Sequence, residues 1–204
     1  MTPVQLNWKR PADGMEEVKA ARFTDWLGKT DNRVFAPKSN TPLLDVQYKI
    51  ENLEDPVVLR FINARRENKL LEFVSRFGQL DNKTMYVIKV EFAADELENR
   101  LHYSTSTPPR ERTRWVNAML EHVPLKASLD DSARIVLHPT SLYGLMALEV
   151  ALAHEAGAVV ASCAHCGTVY LTGPLTWRRS HSVYCSVRCR VAASRKRKAG
   201  KVEG

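Results

Sequence analysis

The chain has 204 residues, of which 44% are hydrophobic and 26% are charged, so its composition is that of a globular protein and excludes a disordered or fibrous one. This length corresponds to one domain, or to one domain with a small second unit, and is sufficient for a hydrophobic core without disulfide bonds. The formal net charge of +7 is concentrated after residue 158, where nine lysines and arginines accompany one acidic residue, whereas residues 1–158 carry 21 basic and 22 acidic residues.

Residues 1–50 have little hydrophobic periodicity, and the segment 31–42 reads as a loop. The N-terminal segment 1–20 contains no apolar stretch of the length that a signal peptide has. We therefore expect a cytoplasmic protein.

Residues 1–158 are called the body below. After residue 50 the body is predicted to be mainly helical, because apolar residues recur there at helical spacing and the segments have helix start and stop signals. Asp55 and Pro56 open the first helix, Gly78 ends the second, and Thr140 is predicted to cap the last. The predicted helices cover residues 57–68, 69–80, 85–101, 110–123 and 141–157, and a short strand is predicted at 133–139. The predicted fold class is accordingly mainly α, with a helical domain at 1–158, a hinge at Gly157 and a second unit at 159–204.

Features that would indicate a membrane span or an enzyme are weak in this body. The apolar segment 142–161 contains Glu149 and His154, which favours a buried helix over a membrane helix. These two residues are five apart and lie on different helix faces, so we do not expect an acid–base pair, and the protein is predicted not to be an enzyme. The aromatic residues predicted to lie in the core are Trp26, Phe35, Phe61, Phe73 and Trp115.

All four cysteines lie in the second unit, in two closely spaced pairs: Cys163 with Cys166, and Cys185 with Cys189. In a reducing compartment such cysteines are thiols or metal ligands rather than disulfides. Two short-spaced pairs separated by a segment of the length of 167–184 are typical of a structural zinc site. The sequence therefore predicts one structural Zn²⁺ bound by four thiolates; four cysteines that merely pack together are the alternative.

The residues around the cysteines predict a treble-clef-like finger, a β-hairpin followed by a helix. Residues 168–171 and 181–185 are predicted to pair as the hairpin, and the helix is predicted to begin at Ser186. Val187 and Val191 are four apart and are predicted to face the hairpin. With four cysteines available, His165 and His181 are not expected to bind the metal.

The finger also carries a dense set of cations beside an aromatic residue. Guanidinium groups suit phosphate geometry, and an exposed tryptophan can stack on a base. The segment has neither Asn nor Gln, so no residue indicates base readout, although an arginine can read guanine; the sequence predicts contacts with phosphates. The candidate nucleic-acid-binding residues are Trp177, Arg178, Arg179, Arg188, Arg190, Arg195, Lys196, Arg197 and Lys198.

The motif "CAHCGTVYL…VYCSVRCRVAASRKRK" resembles the C-terminal finger of the bacterial CGNR zinc-finger family. The four cysteines and Gly167 match that family's pattern, but Arg190 and the two residues after it replace the Gly-Asn-Arg that completes the family's tetrapeptide. The resemblance implies a helical, ABATE-like N-terminal domain for sensing or dimerisation and a finger that binds DNA.

The resulting hypothesis is a cytoplasmic bacterial transcriptional regulator whose zinc finger binds duplex DNA and which does not act at a membrane. A zinc-stabilised module that binds an acidic protein partner is the alternative from a different class, and RNA binding is a third. A homodimer through the helical domain also remains open.

Overall fold

The computed structural model describes residues 2–25, 28–106 and 108–199. The strands of the first half are β1 (Val4–Pro11), β2 (Met15–Thr24), β3 (Thr30–Pro37), β4 (Leu43–Ile50) and β5 (Met85–Tyr86), and the helices are α1 (Val57–Arg66), α2 (Leu70–Phe77) and α3 (Val87–Ser106). The second half contains α4 (Pro109–Leu120), β6 (Leu125–Leu129), β7 (Ile135–Pro139), α5 (Leu142–Glu155), β8 (Val159–Ser162), β9 (Val169–Thr172) and α6 (Val187–Ala199).

The fold is mixed α/β, so the prediction of a mainly α protein is wrong. The described residues form six helices and nine strands. The described strands form a sheet of order β4-β1-β7-β6, a sheet of order β2-β3-β5 and the hairpin β8-β9. The error lies in the N-terminal segment 1–50, which contains four strands, and the segment 31–42 predicted as loop includes most of β3.

The pairing of β1 with β4 shows why this region forms strands. Val4 and Leu6 are buried while the residues that alternate with them are more exposed, which is the period of two expected of a strand with one face on the core. Val4 pairs with Ile50 and Leu6 with Tyr48 in the antiparallel register. The alternation was present in the sequence, but two other strands lie between these partners in the chain, so no hairpin signal joins them.

The five helices predicted in the body and the short strand before the last of them are confirmed, with shifts at their ends. Helix α5 is capped by Ser141, whose hydroxyl accepts a hydrogen bond from the N–H of Gly144 at 3.0 Å, and not by Thr140. Helix α5 lies at the centre of the molecule and packs against α1, α3, α4 and β1. None of the described helices is long and apolar enough to cross a membrane.

Three of the five aromatic residues predicted in the core are there, since Phe35, Phe61 and Phe73 are buried. The prediction for Trp115 is wrong, because 41% of this residue is exposed and its ring lies 4.9 Å from the guanidinium carbon of Arg100. Trp26 lies outside the described residues.

The segment after Gly157 shares the core of the body. Val160, Val169 and Leu171 of the β8-β9 hairpin belong to the same buried apolar cluster as the residues of α1 and α3. Asn63 of α1 adds hydrogen bonds to the hairpin. The boundary at residue 158 stays a prediction, but the residues on its two sides are packed together.

Candidate metal centre

The first cysteine pair lies in the turn between β8 and β9. The N–H of Cys163 donates to the carbonyl of Thr168 at 2.9 Å, and the N–H of Gly167 donates to the carbonyl of Cys163 at 2.9 Å. Gly167 has φ +77, a conformation that glycine adopts without a steric penalty. The hairpin therefore closes on a tight loop that carries Cys163 and Cys166.

The predicted hairpin partner of β9 is wrong. Residues 181–185 form no strand, and β9 pairs instead with β8, the strand that precedes the first cysteine. The loop that leads to the second cysteine pair is nevertheless ordered by β9, because the hydroxyl of Tyr170 donates to the carbonyl of Ser182 at 2.6 Å. The carbonyl of Val183 also accepts a hydrogen bond from the N–H of Ala164, which ties the loop to the first pair.

The second cysteine pair lies at the start of α6, as the sequence predicts. The hydroxyl of Ser186 accepts a hydrogen bond from the N–H of Cys189 at 3.2 Å, which caps the first turn of the helix. Cys185 immediately precedes this cap. The free N–H groups of a helix start favour negative charge, so the position suits thiolates.

The four sulfur atoms have the spacing of a tetrahedral metal site. The Sγ of Cys185 lies 3.7 Å from that of Cys166 and 3.6 Å from that of Cys189, and the Sγ atoms of Cys166 and Cys189 are 3.7 Å apart. All four sulfurs, including that of Cys163, lie within 4.8 Å of one another. Zinc–sulfur bonds of about 2.3 Å at tetrahedral angles place sulfurs about 3.8 Å apart. The cluster could thus hold one metal ion, and its donor set fits a structural zinc.

The pKa values of Cys163 and Cys185 are shifted in opposite directions. Burial opposes ionisation of Cys163, but N–H groups of Cys185, Cys166 and His165 aimed at its sulfur lower its pKa to about 6. Burial and the hydrogen bonds that it shares with its neighbouring thiols raise the pKa of Cys185 to about 12. A cation at the centre would offset the repulsion among four thiolates, which is the electrostatic role of a bound divalent metal.

His165 and His181 are both exposed. Neither belongs to the cluster of potential ligands among the described residues, which consists of the four cysteines. The sulfur of Cys166 lies 3.1 Å from the hydroxyl of Thr168, a residue that was not predicted to belong to the site. Spacing could have indicated it, since a hydroxyl two positions after a ligand lies in the same turn.

The predicted nucleic-acid-binding residues divide into two groups. Arg178 is half-buried, and its guanidinium donates to the carbonyls of Glu54 at 2.8 Å and Cys185 at 3.2 Å. Arg197 is exposed and donates to the hydroxyl of Tyr184 at 2.9 Å. The cations that are exposed, and whose side chains form neither an ion pair nor a hydrogen bond with any described residue, are Arg179, Arg188, Arg190, Arg195 and Lys196. The side chain of Lys198 lies outside the described residues.

Val187 and Val191 of α6 are exposed and not packed against the hairpin, so this prediction is wrong. Val187 is 66% exposed and Val191 is 40% exposed. The apolar core next to the cysteine cluster is formed by residues of the hairpin and of α1, and neither Val187 nor Val191 belongs to it. Helix α6 therefore presents valines and cations to solvent together.

Glu149 and His154 of α5 link helices of the body. The two carboxylate oxygens of Glu149 accept hydrogen bonds from the N–H groups of Val57 at 2.9 Å and Val58 at 2.7 Å, so this side chain caps α1 from another helix. The Nε2–H of His154 donates to the carbonyl of Arg100 at 2.8 Å. No motif in the sequence indicated either contact, because each joins segments that are far apart in the chain.

The fold and the cysteine cluster together define a mixed α/β protein with a C-terminal four-cysteine module suited to zinc. Comparison of the sequence with protein-family models gave no match, and comparison with curated proteins gave none either.

Proposed function

We propose that the zinc-loaded C-terminal module binds duplex DNA through its phosphates and that the protein is a DNA-binding regulator of the kind found in the CGNR zinc-finger family. The observation that carries this proposal is the exposed set of five cations, Arg179, Arg188, Arg190, Arg195 and Lys196, on a segment with one acidic residue. Side chains that neutralise no internal carboxylate are available for phosphates.

The metal gives these cations a defined arrangement. Cys185 and Cys189 bracket the start of α6, and the helix carries four of the five exposed cations. A zinc ion bound there would fix the direction of the helix relative to the hairpin, because two of its ligands come from each element. Thiolates that complete a tetrahedral shell leave no open coordination site, so the zinc would support structure and not catalysis.

The test uses the full chain, because the hairpin shares the apolar core of the body. Fluorescence anisotropy would compare a 20-base-pair duplex, single-stranded DNA of the same sequence and single-stranded RNA. Five phosphate contacts predict that duplex affinity falls by about 10²–10³-fold between about 50 and 200 mM salt. An absence of duplex binding at low salt would overturn the proposal.

A second candidate function has its own support. Val187 and Val191 expose apolar surface between the arginines of α6, and a helix face with valines and cations also suits an acidic amphipathic protein partner. Binding by that partner would resist salt better than binding to DNA, because apolar burial contributes to it. Loss of duplex binding combined with salt-resistant capture of an acidic amphipathic peptide would favour this second function.

A further inference from the structure

Trp177 stands out of the surface at the tip of the loop that follows β9. Its side chain is 83% exposed, whereas large aromatic residues are normally buried for most of their surface. Leu175, on the same tip, is 43% exposed, and Thr176 between them is fully buried. The tip therefore presents two apolar side chains outward around a buried anchor.

The backbone beneath these side chains is held in an unfavourable conformation. Leu175 has φ +62 and Trp177 has φ +58, in the left-handed region where glycine or asparagine is normally found. Such conformations persist where surrounding contacts enforce them, and they cluster at functional sites. A residue chosen for backbone fit alone would not be tryptophan.

The contacts that enforce this conformation surround the tip on both sides. The hydroxyl of Thr176 donates to the carbonyl of Gly173 at 2.7 Å, and the N–H of Gly173 donates to the carbonyl of Arg178 at 2.8 Å. The carbonyl of Leu175 accepts a hydrogen bond from the N–H of Leu53 at 2.8 Å. With Arg178 bonded to the body as well, the backbone of the tip is fixed while the indole ring remains free.

The surroundings of the tip are cationic. The guanidinium of Arg178, which follows Trp177, donates to the carbonyl of Cys185 just before α6, and Arg188 and Arg190 are exposed in the first turn of that helix. Arg179 follows the tip directly and is exposed. A nucleic acid has anionic phosphates and apolar base faces. A projecting ring with cations nearby is complementary to both.

We propose that Trp177 is a wedge that enters a base step of duplex DNA from the minor groove and kinks the duplex, with Leu175 supporting it. This rests on the proposed DNA binding and adds a class of substrate, namely duplexes with an easily unstacked step. A side chain that projects from a convex tip is suited to insertion between base pairs, whereas stacking on unpaired bases normally uses a groove or a sheet face. Pyrimidine–purine steps unstack most readily, so the wedge favours duplexes that contain a TA or CA step.

The variant that separates folding from insertion is Trp177→Gly. Glycine adopts φ +58 without a steric penalty, so the variant should keep its zinc and unfold at the same or a higher temperature than the wild type. Trp177→Phe keeps a ring and should retain part of the activity. Val183→Ala is the control, because Val183 is an apolar residue of the same module, is 57% exposed and has its backbone carbonyl bonded to Ala164 beside the first cysteine pair.

The zinc-loaded full chain would be titrated with two duplexes, one with a central TA step and one rich in G·C. Each carries 2-aminopurine at the centre to report unstacking and dyes at its ends to report bending by energy transfer. The wild type and Val183→Ala should unstack and bend the TA duplex and bind it more tightly than the G·C duplex. Trp177→Gly should bind the TA duplex about 10- to 100-fold more weakly, without bending it, and with an unchanged salt dependence.

The outcomes separate this inference from the proposed function. If Trp177→Gly binds and bends as the wild type does, the wedge is wrong and DNA binding stands. If the wild type binds single-stranded DNA more tightly than either duplex, and Trp177→Gly abolishes that preference, the ring is a stacking platform and the wedge is again wrong. If the wild type binds no duplex at low salt, the proposed function fails and the wedge fails with it.

Discussion

The side-chain amide of Asn63 on α1 is hydrogen-bonded to both backbone groups of Val169 on β9. Its Nδ2 donates to the carbonyl of Val169 at 2.9 Å, and its Oδ1 accepts from the N–H of the same residue at 2.8 Å. Val169 is buried and begins the strand that follows the metal-binding loop. The Asn63 side chain thus provides hydrogen-bond partners for the backbone of Val169 at the edge of β9 and joins the cysteine module to the body.

Replacement of Asn63 by alanine should destabilise the whole protein. The substitution leaves two backbone groups of Val169 without partners in a poorly solvated place, which costs about 2–4 kcal/mol. Urea unfolding followed by circular dichroism would measure the loss. Asn7→Ala, at an exposed residue of β1, is the control and should change the free energy of unfolding by less than about 0.5 kcal/mol.

Removal of the metal should loosen the module more than the body. We expect one zinc per chain by native mass spectrometry, and substitution of any one of the four cysteines by serine should lower zinc affinity. Hydrogen exchange after chelation should increase across residues 163–199, with a smaller increase in α5. His165→Ala, at an exposed residue outside the cluster, should retain the full zinc content, and loss of zinc in this variant would show that the ligand set is misassigned.

Two adjacent arginines should have different effects. Arg178→Ala removes hydrogen bonds to the carbonyls of Glu54 and Cys185 and should lower the free energy of unfolding by about 1–3 kcal/mol. Arg179→Ala removes an exposed cation, so it should leave stability unchanged and reduce the slope of log affinity against log salt for duplex DNA by about 1. Thermal unfolding and salt-dependent anisotropy would separate the two effects. Equal effects of both variants on stability would contradict the assignment of Arg178 as an anchor.

The buried carboxyl of Glu149 should make stability depend on pH. Burial raises the pKa of Glu149 from 4.5 to about 8, against the two N–H groups of α1 and Arg60, which lower it, while Asp55 raises it further. Because the folded state holds this proton more tightly than the unfolded state, its contribution is complete below about pH 4.5 and is lost as the pH rises to about 8. Each unit of difference between the folded-state and unfolded-state pKa corresponds to about 1.4 kcal/mol, so the free energy of unfolding falls by about 5 kcal/mol across this pH range. Urea unfolding between pH 5 and 8 would show the decline, and Glu149→Gln should flatten it; an equally steep decline in Glu149→Gln would exclude this residue as its origin.

Gly78, which ends α2, should tolerate no side chain. Its φ is +95, and a Cβ there would lie 3.1 Å from both the carbonyl oxygen of Lys9 and the Nε1 of Trp8. We expect Gly78→Ala to destabilise the protein by about 2–4 kcal/mol, from the conformation and the close contact together. Gly157→Ala is the matched control, because Gly157 has φ +68 and no atom within 4 Å of its would-be Cβ. Thermal unfolding of the two variants should therefore differ by more than about 1 kcal/mol, and equal losses would show that the contact with β1 contributes nothing.

The parts of the structure that could be predicted from the sequence are those with local signals. Helix α2 follows from its apolar periodicity and from the glycine after Phe77, and the helical start beside Cys185 and Cys189 follows from Ser186. The four-cysteine cluster follows from cysteine spacing, because each pair needs only one turn of chain to bring its sulfurs together. These features depend on residues within one helical turn or one tight loop of one another.

The features that were missed depend on distant partners. The strand β4 pairs with β1 although β2 and β3 lie between them in the chain. Val187 and Val191 show the same limit, since their spacing indicated a buried face but the hairpin is covered by α1 instead. Helical spacing predicts which residues share a face and not what that face contacts.

The amino-acid sequence by itself determined the four-cysteine cluster, the helices of the body and the concentration of cations at the C-terminal end, because spacing, caps and charge act over short stretches of chain. Only the tertiary structure decided that the fold is mixed α/β, that Arg178 anchors the module and that Trp177 projects from it. Those outcomes depend on which buried surfaces and backbone groups meet across long separations in the chain, and that choice is made by packing and hydrogen bonding in the folded state.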